Sequence, residues 1–145
     1  MRTIVELVGG PDQAERVREV AELLVALREH GGDDVERVLR AAPRWLAGAF
    51  APERTVEEDE AWLVRWRAAP DRLAFERASG WTASGWVHWF SPENEFWSVG
   101  DVRVDEGGHR VVVDLEHDDD PVPFEALRWL ALTGGLRVGD EVRVR

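Results

Sequence analysis

His88 is the residue best suited to acid–base chemistry in this 145-residue chain. It stands inside a tryptophan-rich stretch, and a carboxylate such as Asp101 or Asp114 beside its imidazole would make a general acid–base pair. A small enzyme built on His88, with Asp101 orienting it, is one reading of the sequence. The pattern offers it no nucleophile. Ser79, Thr82, Ser84, Ser91, Ser98 and Thr133 lie in no strand–turn–helix elbow and no Gly-x-Ser-x-Gly context. Cysteine, lysine and tyrosine are absent, and all 18 basic residues are arginine. That removes a thiolate, a Schiff-base or phosphate-loop lysine and a phenolic acid from the available chemistry. The other histidines are scattered: His30 ends a helical stretch, where the helix dipole favours an imidazolium, and His109 is a turn residue.

The run Glu116-His117-Asp118-Asp119-Asp120 is a second candidate, because hard cations take several carboxylates and an imidazole adds a nitrogen for a transition metal. His117, Asp118 and Asp120 would be the ligands of a metal-binding regulatory domain. The run lacks the spaced ligands of a calcium loop, and a solvated loop ahead of a helix explains it without any metal. Val8-Gly9-Gly10-Pro11 lies where a phosphate loop would lie, but it is followed by Asp12, an acid that repels phosphate. No cofactor is expected.

A third candidate is not catalytic. Gly80–Gly100 contains Trp81, Trp86, Trp89 and Trp97, four of the eight tryptophans. Each indole buries on the order of 200 Å² and carries one N–H donor, so the stretch either fills a core or faces a partner. Trp86, Trp89 and Phe90 share one face of a short helix and are expected to be buried. Trp81 precedes that helix and is expected to be the most exposed of the four. The stretch runs into a strongly acidic region. Of the net charge of −11, −8 falls between Ser91 and Asp120, which hold ten acids and two arginines. Such a field repels nucleic acid and anionic membrane and suits a basic protein partner. Trp81, Asp101, Asp105, Glu106, Asp118 and Asp119 are the residues assigned to that contact, and the reading is compatible with a homo-oligomer.

Composition sets the frame. At 44% hydrophobic and 32% charged residues the chain is that of an ordinary globular domain, long enough to bury about 68–70% of its unfolded surface. One domain, residues 1–145, is expected. No secretion signal is read at the N-terminus and no apolar run is long enough to span a bilayer, which makes the cytoplasm the expected location. The missing residue types are those with AT-rich codons, as in a high-GC bacterial genome. Small, acidic and tryptophan-rich, the chain resembles immunity and adaptor proteins of bacterial conflict systems. The resemblance is one of composition, covers no motif and transfers no residues. It implies a non-catalytic interaction module.

The elements that must position these residues read as α+β: a helical N-terminal half on a small, mostly antiparallel sheet, with a C-terminal hairpin–helix–strand unit. Thr3–Val8 is a strand. Asp12–Arg28 has helical periodicity, Asp33-Asp34-Val35-Glu36 forms a capping box for a second helix, and Pro43 interrupts that helix. Thr55 and Glu58 cap a helix running to Ala68, whereas Asp71–Ser79 alternates as a strand does yet is short. Thr82 or Ser84 caps a short helix at Trp86, with a strand as the alternative, and Ser91-Pro92-Glu93-Asn94 is a type I turn. Phe96–Asp105 and Arg110–Glu116 flank a Gly107-Gly108 turn as a hairpin, with a bulge at Gly100. Phe124–Thr133 is a helix, closed by Gly134-Gly135 and packed across the hairpin through Leu127 and Leu130. Glu141–Arg145 is an edge strand with outward arginines.

Overall fold

The computed structural model describes residues 1–30 and 35–144, so the capping box expected at Asp33-Asp34 lies outside the described residues. The fold is α+β, with an antiparallel four-stranded sheet of order β2-β3-β1-β4. The strands are β1 (Arg2–Val8), β2 (Ser98–Val104), β3 (Arg110–Glu116) and β4 (Arg137–Val144). Between β1 and β2 the described residues form six helices: α1 (Ala14–His30), α2 (Val35–Ala41), α3 (Arg44–Ala47), α4 (Val56–Ala68), α5 (Arg72–Ser79) and α6 (Ala83–His88). Helix α7 (Glu125–Thr133) joins β3 to β4.

β1 is a central strand, with Val5 opposite Val113 on one side and Glu141 on the other. Its alternation buries Thr3, Val5 and Leu7 on one face. That face meets Val111, Val113 and Leu115 of β3, and α1 packs on it with Val17, Val20, Leu24 and Leu27. The position expected for α7 across the hairpin is thus taken by α1. Helix α7 lies beside β4, and its Leu127, Leu130 and Ala131 are buried in the same core, as its periodicity predicts.

The other face of the sheet is laced by ion pairs, Arg2 with Asp114 at 3.0 Å and Arg110 with Glu6 at 3.1 Å. In β4 the register sets Val142 opposite Ile4 and Arg143 opposite Thr3. Val142 and Val144 therefore share this second face, while Arg143 points the other way and pairs with Asp120. β4 is an edge strand with Arg143 exposed, as the alternation predicts.

Local signals act where expected. Thr55 and Glu58 form a reciprocal capping box, Pro43 starts α3, and the ladder shifts between Val99 and Val102, around Gly100. Beyond α7, the Leu136 N–H reaches the Ala131 carbonyl at 2.8 Å and Gly135 takes φ +77°, the Schellman ending that favours glycine. Asp71–Ser79 is ambiguous in sequence, and the structure decides it. It holds a helix rather than a strand, because the Asp71 carboxylate accepts the Ala74 N–H and starts a turn that the Leu73/Phe75 alternation concealed.

Candidate functional site

Helix α6 begins where the Thr82 hydroxyl accepts the Gly85 N–H. It delivers Trp86 into the core, fully buried, with its indole N–H donating to the Ala126 carbonyl at 3.0 Å. Trp97, from the loop before β2, is buried beside it and donates to the Pro123 carbonyl. Both indoles are thereby satisfied by the backbone around the start of α7, and Phe90 packs between them, 4.8 Å from Trp86 and 5.4 Å from Trp97.

The chain then brings a second set of rings outward. Trp89 and Phe90 are half-buried, a correction to their expected burial, and Trp89 stacks on Trp97 at 6.3 Å. Phe96 stacks on the Trp89 ring at 5.8 Å and is 52% exposed. Trp81 meets Trp89 edge-on at 6.4 Å and is half-buried like it, so it does not stand free as the exposed ring of the segment. The expected turn at Ser91–Asn94 is present, with the Asn94 N–H on the Ser91 carbonyl at 3.1 Å. Asn94, the chain's single asparagine, fixes the loop. Its amide donates to the carbonyls of Trp89 and Trp97, and its Oδ1 accepts the Phe96 N–H. A shallow depression of about 160 Å³ results, lined by His88, Trp89, Glu93, Asn94, Glu95 and Phe96.

His88 is exposed on this rim, its Nδ1 3.5 Å from Glu93. It does not meet the carboxylates proposed for it. Asp101 lies 3.5 Å from Arg103, and Asp114 is nearly buried against Arg2, so no hydrogen bond or ion pair among the described residues joins either to His88. The acid–base pair is not assembled.

His117 is likewise not poised as a ligand. It is buried, and its Nδ1 lies 2.7 Å from the Asp119 carbonyl, which can only accept. Nδ1 therefore donates to that carbonyl, and Nε2 lies 2.7 Å from the Thr3 hydroxyl. With both nitrogens committed and Asp120 paired to Arg143, the run forms no metal cluster. None is found among the described residues.

The acids assigned to a partner fall at opposite ends of the hairpin. Asp105 and Glu106 occupy the β2–β3 turn, whereas Asp118 and Asp119 follow β3 at the end where β2 begins, about 20 Å away at strand rise. Asp105 serves the turn itself: its Oδ1 accepts the N–H groups of His109 (2.8 Å) and Arg110 (3.1 Å), and Gly108 supplies φ +71°. Partial desolvation pushes the Asp105 carboxyl upward, but the Arg110 and His109 N–H bonds and their side-chain charges together outweigh it and hold the group below its ordinary value. The residues missed from sequence are Glu93, Glu95 and above all Phe96. The signal was the adjacent pair Phe96-Trp97, because consecutive residues of an extended chain point to opposite sides and only one can enter the core.

No protein-family model matches this chain, and no curated protein or solved structure matches it either. No helix among the described residues is long and apolar enough to cross a membrane.

Proposed function

We propose that this protein is a non-catalytic interaction module that grips a basic protein partner on the platform of Trp89 and Phe96, in the manner of an immunity protein or an adaptor subunit working in the cytoplasm. The observation that carries this reading is Phe96. A large ring half open to water gains nothing for the fold by its exposure, yet it is held in one orientation by the Trp89 stack and by the bond from its N–H to Asn94. Glu93 and Glu95 flank it in the same depression. Aromatic faces beside carboxylates suit a guanidinium or ammonium group, which gains cation–π attraction over the ring and charge pairing at its edge. Asp118 and Asp119, at the same end of the sheet, add to the field that steers such a partner.

Titration with an arginine-rich peptide, followed by tryptophan emission, tests this directly. The expected result is a saturable change whose affinity falls steeply with added salt, with no change for a glutamate-rich peptide of equal length. Binding that ignores both salt and peptide charge would overturn the reading.

A further inference from the structure

Helices α4 and α5 form a hairpin in which no residue is buried. Trp62 and Trp66 turn toward α5, where Trp62 meets Phe75 at 5.4 Å and donates to Ser79, and Trp66 donates to Glu76. The opposite face of α4 carries Val56, Glu60, Leu63, Val64 and Arg67, which fall together because residues three, four and seven apart share a helix face. Val56 is 71% exposed, Val64 64% and Leu63 38%. Neither Glu60 nor Arg67 has an ion-pair partner among the described residues.

The helix dipole by itself accounts for acids at the start of α4 and arginines at its end. It gives no reason for Leu63 and Val64 to be displayed between them, or for Val56 to be exposed on the same face. We propose that this face of α4 pairs antiparallel with the same face of a second copy of this chain. With the two-fold axis at Leu63–Val64, these two side chains of each copy meet at the centre, Glu60 of each copy comes level with Arg67 of the other, and Val56 lies at the rim. The surface is self-complementary in charge, as an isologous contact requires, and only an antiparallel arrangement makes it so; a parallel pair sets like charges together. A helix of 13 residues is about 20 Å long, so the interface is small and the dimer a weak, concentration-dependent one.

Sedimentation velocity of the whole chain, up to about 1 mM protein, reads this out. The wild type is expected to shift from monomer toward dimer with concentration. Glu60→Arg and Arg67→Glu each set like charges opposite one another and should weaken dimerisation about tenfold or more, whereas the double variant, which exchanges the charges, should recover it. All three substituted positions are exposed, and far-UV circular dichroism checks that each variant is folded. Phe96→Ala should dimerise as the wild type does, which separates this contact from the aromatic platform. A wild type that stays monomeric throughout, or a double variant no better than the singles, or loss of the dimer in Phe96→Ala, would each overturn the pairing.

Discussion

The protein contains two aromatic groups of similar composition and opposite standing. Around α6, Trp86, Phe90 and Trp97 lie against Leu127 and Leu130 in a single core, and the indole N–H groups of Trp86 and Trp97 end on backbone carbonyls. In the α4–α5 hairpin, Trp62 stacks on Trp66 at 6.4 Å and meets Phe75, but the N–H groups end on the side chains of Ser79 and Glu76, and no surrounding residue is buried. Arg54 and Arg72 close over the two rings from the solvent side. The second group covers its own apolar surface; the first covers that of the protein. An indole stabilises a fold in proportion to the packed neighbours that lose water with it, not by being aromatic. The hairpin's connection to the body includes the exposed Arg77–Glu125 ion pair at 2.8 Å, whose hydrogen bond raises the Arg77 value, and the hold of Glu53 on Ser84. Exposed pairs of this kind contribute little.

The largest effect that would break this contrast comes from Trp86. Replacing it with Ala removes a fully buried ring and should cost about 3–5 kcal/mol, seen as an early, cooperative melt. Trp62→Ala should cost about 1 kcal/mol or less globally and instead speed amide exchange within α4 and α5, since local opening there leaves the core shut. Equal losses from the two substitutions would show that the hairpin is an integral layer of the core.

The hairpin turn sharpens the comparison with a pH effect. The Asp105 carboxyl is held below its ordinary value in the folded state. Its contribution to stability is therefore complete above the ordinary carboxylate range and lost as pH falls through the lower folded value. Asp105→Asn keeps an oxygen to accept the His109 and Arg110 N–H groups but cannot titrate. Melting temperatures measured from neutral pH downward should fall less steeply for this variant below about pH 4 than for the wild type. Parallel curves would show that the carboxylate does not carry the acid sensitivity.

Much of this architecture was legible in the sequence because it is decided locally. The Thr55–Glu58 box, the Asp105–Arg110 turn and the Gly134-Gly135 ending each satisfy backbone groups within a few residues, and their signals are equally short. What could not be read depends on distant partners. β1 enters the sheet between β3 and β4, a placement that no local signal specifies. Helical periodicity grouped Trp86, Trp89 and Phe90, but α6 ends at His88, and the turn that follows rotates Trp89 toward the surface. His117 sits among acids in sequence and under Thr3 in space. The candidate site was half visible: the tryptophan segment stood out, while its exposed ring is a phenylalanine that sequence reading assigned to a strand.

The smallest effect on the fold is expected from the residue most important to the proposed function. Phe96→Ala should leave the melting temperature within about 2 °C of the wild type, as befits a half-exposed side chain. The decisive measurement is the affinity of this variant for the arginine-rich peptide. If the Trp89–Phe96 platform is the partner-gripping surface, the Kd should rise about thirtyfold, the equivalent of about 2 kcal/mol for a hot-spot ring. An unchanged Kd in a variant that melts like the wild type would contradict the account, because the ring would then be neither scaffold nor contact.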